Sequence, residues 1–149
     1  MVYQEQMSFA EIQCINQAVL EITPHRGIEI NRRHIWELSN YLQQQDLHIG
    51  ILFNRHYGFS FAFEVLQRIL DTPRVTSIAF LVRDSYSYSN TENDLQLVLQ
   101  PHKPMEIFYD KRIALLWFNM LRTRLPHEHE LFVESGFEPK PPRPVLSDT

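Results

Sequence analysis

Two apolar segments, residues 49–53 and 75–82, constrain the fold more than any other feature of the sequence. Each has the length of a strand, and the first segment and the centre of the second, residues 78–82, are apolar at consecutive positions rather than at alternate ones. This pattern is typical of strands buried on both faces, as in the middle of a parallel sheet. We therefore expect the two segments to run side by side in the same direction, sandwiched between helices.

Helical patterns lie between the predicted strands. Asn31 is predicted to be the N-cap of a helix over residues 32–44, in which Ile35, Leu38 and Leu42 recur at helical spacing. Ser60 is predicted to cap a second helix that runs to residue 70, where Thr72 and Pro73 follow.

The rest of the chain continues the alternation of strands and helices. Further strands are predicted at residues 18–22 and 105–108, an antiparallel edge strand within 8–15, and a loop over 84–94. Asp110 is predicted to cap a last helix with this apolar stripe: Ile113, Leu116, Trp117, Met120 and Leu121. The order predicts an α/β fold with a mixed, mostly parallel sheet covered by helices and right-handed crossovers.

The chain has the length of about one domain. Of its 149 residues, 44% are hydrophobic and 21% are charged, which is ordinary globular usage. Five prolines occur after Leu125, four of them in residues 139–144. We expect a single α/β domain over residues 1–125 and an extended or disordered Pro-rich tail over 126–149.

Charge and cysteine content restrict the partners and the compartment. The formal net charge is −4 and the sequence has no basic stripe, which argues against a nucleic-acid partner. Cys14 has no second cysteine to pair with, as fits a reducing compartment. The N-terminus does not resemble a secretory signal, and the apolar runs are too short to span a bilayer. We expect a cytoplasmic protein that is not integral to a membrane.

A family resemblance follows from the order of these segments. A strand at residues 19–22 leads to a helix rich in Arg, Trp and Leu. A second strand ends in a polar turn over 54–60, and the strand at 78–82 precedes the run 107–118. Over roughly residues 17–122, the chain resembles the SpoIIAA-like branch of the STAS family, also called STAS/SEC14-like.

The resemblance implies a regulatory or ligand-binding role. In anti-sigma-antagonist members, a partner kinase phosphorylates a serine at the start of the second helix, and the matching residue here is Ser60. The usual Asp-Ser-Ser-Gly turn is replaced by Tyr57-Gly58-Phe59-Ser60. An ordinary N-cap is the alternative role for this serine. SEC14-like relatives bind lipids, and STAS-like domains often dimerise, so the resemblance allows a lipid-like ligand and a homodimer.

Polar side chains follow the two central strands and predict a ligand or partner rim. The first group is Asn54, Arg55, His56 and Tyr57, and the second is Arg83, Asp84 and Tyr86. In a parallel sheet the two groups share one edge, where ligands bind. Arginine suits a carboxylate or phosphate, and tyrosine suits an apolar group. The alternative is a solvated rim with a weak salt bridge.

A small serine hydrolase is the alternative function. Residues 58–62 read Gly-Phe-Ser-Phe-Ala, one residue away from the Gly-x-Ser-x-Gly elbow, and Ser60 would need His56 or His102 as its base. The favoured function is a non-catalytic binding or regulatory module for a protein or a small or lipid-like ligand. No cofactor and no metal are predicted, because the stretch at 127–130, His-Glu-His-Glu, lacks the ligand spacing of a zinc site.

Overall fold

The computed structural model describes residues 2–123, with residues 2–5 given as backbone only. The strands are β1 Val2–Gln6, β2 Ala10–Ile15, β3 Val19–Pro24, β4 Glu29–Ile30, β5 Ile49–Asn54, β6 Ser60–Phe61, β7 Val75–Leu81 and β8 Met105–Phe108. The helices are α1 Arg32–Gln44, α2 Val65–Asp71, α3 Ser85–Gln96 and α4 Lys111–Thr123. The predicted tail, with the stretch 127–130, lies outside the described residues.

Six strands form one mixed sheet in the order β1-β2-β3-β5-β7-β8. The strands β3, β5, β7 and β8 run parallel to one another, and β1, β2 and β3 form an antiparallel meander. The predicted fold class is therefore confirmed, including the parallel pairing of the two central strands. The strand predicted within residues 8–15 is antiparallel as expected, but β1 rather than β2 occupies the sheet edge.

One face of the sheet carries the larger apolar core, where α1 and α2 pack. The Asn31 side chain accepts the N–H groups of Arg33 and His34, so α1 begins where the sequence predicts. The buried side of α1 presents His34, Leu38 and Leu42 to this core. Burying a leucine such as Leu38 or Leu42 contributes roughly 1.5–3 kcal/mol.

The opposite face is covered by α4. Its buried residues are Ala114, Trp117 and Phe118, which pack on Val19, Leu52 and Ala79 of the sheet. Gly50 allows the close approach, since a Cβ atom there would lie 2.5 Å from the Phe118 ring. The predicted stripe of α4 is wrong at Ile113, Leu116 and Met120, which are exposed. Among the described elements no helix covers the outer side of α4, so only one face of α4 is buried. That face is the one that bears the small residue Ala114.

Two elements differ from the sequence prediction near the carboxyl ends of the central strands. The expected loop over residues 84–94 is the helix α3, which starts at the Asp84 cap and buries Thr91. The expected helix from Ser60 is also wrong, because Ser60 and Phe61 form β6 and α2 begins at Val65. Because β6 pairs with β4, the backbone of Ser60 and Phe61 is extended and cannot form the first turn of a helix.

Candidate ligand-binding rim

The parallel pairing of β5 and β7 brings their following loops to one edge of the sheet. Asn54 lies opposite Leu81 in the register, and the Arg55 N–H continues the ladder by donating to the Leu81 carbonyl. Residues 55–59 therefore leave the sheet beside residues 82–84. This is the juxtaposition that the sequence predicts.

The two loops and the start of α3 enclose a cleft of about 350 Å³, which we call the rim cleft. Its lining includes six of the seven predicted rim residues: Arg55, His56, Tyr57, Arg83, Asp84 and Tyr86. The structure adds Ser87 and Asn90, which sequence reasoning missed because it placed this segment in a loop. Their signal was the spacing Asp-x-x-Ser, a helix start in which the Asp84 side chain meets the third residue after it.

Arg83 bridges the two loops. Its Nη1 donates to the His56 carbonyl oxygen over 2.8 Å, although the side chain is exposed. Within the described part of the chain, the guanidinium makes no further hydrogen bond or ion pair. Arg83 is thus oriented by one bond and keeps most of its donors for a ligand.

Asp84 is occupied by the helix that it caps. Its carboxylate accepts from the Ser87 backbone N–H and hydroxyl, both over 2.9 Å, and these hydrogen bonds lower the pKa of Asp84 from its ordinary value. The Ser87 hydroxyl in turn accepts from the Asp84 N–H over 3.2 Å. Asp84 is therefore a carboxylate at neutral pH and fixes the start of α3.

Arg55 is buried, with only 5% of its surface exposed. Its guanidinium pairs with Asp94, donates to the Phe59 carbonyl and stacks 4.3 Å from the centre of the Phe59 ring. Burial lowers the pKa of Arg55 and raises that of Asp94, and in each case the partner's charge opposes the effect. Arg55 thus braces the loop from below, and its role in the cleft is mainly structural.

Aromatic rings form the outer wall of the cleft. Tyr57 and Tyr86 are 37% and 77% exposed. The His56 ring packs edge-on against Tyr57 with centres 4.6 Å apart, and the Arg26 guanidinium lies 5.0 Å from the Tyr57 ring centre. The wall therefore offers ring faces and hydroxyl groups next to the Arg83 donors.

Asn54 is the predicted rim residue that lies elsewhere. Its side-chain amide donates over 2.8 Å to Glu21, which is buried beneath α4 on the other face of the sheet. Lys111 Nζ lies 2.6 Å from the second Glu21 oxygen, as a charge pair whose angle is not that of a hydrogen bond. Alternation along β5 sends Asn54 to this face and Arg55 to the other.

Ser60 lies in β6, where its N–H donates to the Ile28 carbonyl over 3.0 Å. The helix N-terminus that would stabilise a phosphate on this serine is not there, since α2 begins five residues later at Val65. The rings of Phe59 and Phe61 on either side pack against Phe53. This alternation of apolar and polar residues was the sequence signal for a strand.

The geometry required for a serine hydrolase is missing from residues 2–123. No hydrogen bond joins the Ser60 hydroxyl to a histidine there. His102 is bonded to Asp71 over 2.6 Å, beside the start of β8 rather than at the carboxyl ends of the strands. A nucleophile needs its base within about 3 Å, and residues 2–123 contain no such pair at Ser60.

The described segment lacks two further features, a metal-binding cluster and a membrane-spanning helix. It contains no group of three or more His, Cys, Asp or Glu residues placed to hold a metal ion. It also contains no helix with both the length and the apolar character needed to cross a bilayer.

Comparison with known proteins gives one structural likeness. No protein-family model matches the sequence, and no curated protein matches it. The crystal structure of an uncharacterized protein from the DUF3478 family, from Shewanella loihica, covers 79% of this chain and 92% of its own at 11% identity and a TM-score of 0.44. That protein is described as having a SpoIIAA-like fold, the fold that the sequence resemblance implies. The fold class of this chain rests on its own strand order.

Proposed function

We propose that this protein is a non-catalytic binding module that takes a small anionic ligand in the rim cleft. The cleft volume of about 350 Å³ falls near the lower end of the roughly 300–1,000 Å³ typical of small-molecule sites. Its position beyond the carboxyl ends of parallel strands is where open α/β sheets bind ligands.

The observation that carries the proposal is that most N–H groups of the Arg83 guanidinium have no partner among the described residues. One nitrogen of the guanidinium is bonded to the His56 carbonyl, and the others have no partner among the described residues. A fixed guanidinium fork recognises carboxylate or phosphate through paired hydrogen bonds. The Asn90 side chain, which also lines the cleft, has no hydrogen bond within residues 2–123 and adds a free donor.

The aromatic wall refines the chemistry of the ligand. Tyr57 and Tyr86 can cover a planar or apolar group while Arg83 holds the anionic end. Asp84 brings the negative charge of this lining, and its Oδ1 accepts two hydrogen bonds from Ser87. An aryl phosphate or an aryl carboxylate fits these features better than a lipid, because the cleft is too small for a long acyl chain.

Isothermal titration calorimetry with phenyl phosphate and inorganic phosphate tests the proposal. Wild-type protein should bind phenyl phosphate more tightly than phosphate, and Arg83→Gln should weaken the binding about tenfold or more. Arg112→Gln is the matched control, since Arg112 is an exposed arginine on α4 that does not line the cleft. Absence of binding, or equal loss in the two variants, would contradict the proposal.

A further inference from the structure

A second concave surface lies between α1 and α2, and we call it the α1–α2 groove. Its volume is about 460 Å³, and the side chains that define it are Arg32, Ile35 and Trp36 of α1 with Arg68 and Asp71 of α2. It shares no lining residue with the rim cleft. The proposed small-ligand site therefore does not account for it.

Trp36 is the unusual residue of this groove. It is 68% exposed, whereas Trp117 on α4 is 8% exposed. The same helix buries His34 and Leu38, so Trp36 lies outside the apolar face that packs on the sheet. Tryptophan and arginine are the residues most enriched at the energetic centres of protein interfaces.

Two of the three charged side chains of the groove are arginines without an ion pair among the described residues. Neither Arg32 nor Arg68 has a hydrogen bond or an ion pair from its side chain within residues 2–123, whereas Arg55 and Arg74 each pair with an aspartate. Asp71, the acidic residue of the lining, is already bonded by His102 and Gln67, at 2.6 and 3.0 Å. The groove thus presents two free guanidinium groups in a chain whose formal net charge is −4.

We propose that the α1–α2 groove binds an acidic peptide segment of a partner protein. Carboxylates of the segment meet Arg32 and Arg68, and an apolar side chain between them packs on the Trp36 indole. Arginine forms paired hydrogen bonds with carboxylates, and these give the contact its direction. A short acidic segment contacts the groove alone. An extended nucleic acid or an anionic bilayer would also meet the rest of this acidic chain, which would repel it, and therefore fits less well.

Fluorescence measurements with defined peptides test this proposal. The probes are labelled hexapeptides with glutamates around a central leucine or phenylalanine, and matched peptides with glutamine in place of glutamate. Binding is followed by anisotropy of the label and by the emission of Trp36, since buried Trp117 should not respond. The acidic peptides should bind and shift the Trp36 emission, the glutamine peptides should not, and added salt should weaken the complex.

Substitution of the groove arginines tests whether the peptide binds in the α1–α2 groove. The double variant Arg32→Gln, Arg68→Gln should lower peptide affinity by about tenfold or more, as expected for the loss of two charged hydrogen-bonding partners. Arg33→Gln on the same helix, outside the groove lining, should leave it within about twofold. Failure of every acidic peptide to bind would overturn the proposal, as would equal losses in the double variant and the control. Arginine-dependent binding to phosphatidylserine vesicles without peptide binding would also overturn it and identify a membrane surface.

Discussion

Arg83 Nη1 donates a 2.8 Å hydrogen bond to the carbonyl oxygen of His56, 27 positions earlier in the chain. His56 follows β5 and Arg83 follows β7, so the bond depends on the parallel pairing of these strands. It holds the guanidinium beside the aromatic wall of the cleft, next to Tyr57, and leaves the other guanidinium N–H groups free. The bond thus links the fold of the central sheet to the proposed anion site.

Removing the negative charge at Asp84 should strengthen anion binding. Asparagine is as good an N-cap as aspartate, so Asp84→Asn should keep the start of α3 while it removes a carboxylate from the cleft lining. We expect roughly two- to fivefold tighter binding of phenyl phosphate at low salt, as for one nearby charge in a hydrated site. Calorimetry of the variant measures this, and weaker binding with an intact fold would contradict it.

Breaking the buried Arg55–Asp94 pair should destabilise the protein strongly. Arg55→Met leaves Asp94 partly buried without its partner, at an expected cost of about 3 kcal/mol in the free energy of unfolding. Arg74→Met removes the pair with the exposed Asp46 and should cost less than about 1 kcal/mol. Urea denaturation compares the two variants, and similar losses would show that the Arg55 pair contributes little.

Gly50→Ala should destabilise the sheet face beneath α4. The added Cβ would lie 2.5 Å from the buried Phe118 ring, and overpacking of this kind costs about 1–3 kcal/mol. Gly58→Ala, at a site with nothing within 4 Å, is the matched control and should change stability little. If the Phe118 contact is the cause, Phe118→Leu should cost less in the Gly50→Ala background than in the wild type.

Acid should destabilise the start of α1 through His34. Burial lowers the pKa of His34 from its ordinary value of 6.5, and its Nδ1 accepts from the Asn31 N–H over 3.0 Å. The unfolded chain therefore binds the proton at higher pH than the folded one does. The contribution is complete above pH 6.5 and is lost as pH falls below it toward the folded pKa. NMR titration checks this, and a His34 pKa at or above 6.5 would contradict it.

The sheet and α1 could be predicted because their signals are local and mutually consistent. Residues 49–53 are almost entirely apolar and residues 78–82 are entirely so, as is typical of strands buried on both faces. Asn31 precedes apolar residues at helical spacing, and α1 extends over them to Gln44. In contrast, α3 is rich in Ser, Tyr and Asn, which are weak helix formers, and it is held by its Asp84 cap and tertiary contacts.

The site was predicted as far as it depends on strand order. Chain order places His56 and Arg83 after neighbouring strands, so their meeting could be expected. The face of the sheet on which the Asn54 side chain lies could not be assigned from the sequence. It is set by the alternation of side chains along β5 and by the hydrogen bond to Glu21, which lies 33 positions away. Ser60 was assigned to a helix because its pairing partner, β4, has only two residues and gives almost no sequence signal.

Chemical-shift mapping tests the binding claim most directly. In ¹⁵N-labelled protein titrated with phenyl phosphate, the shifts should be confined to residues 55–59 and 83–90 and should saturate, and Arg83→Gln should need about tenfold more ligand, or more still, to reach the same shifts. Shifts spread over the surface, or unchanged in Arg83→Gln, would contradict the assignment of the rim cleft as the ligand site.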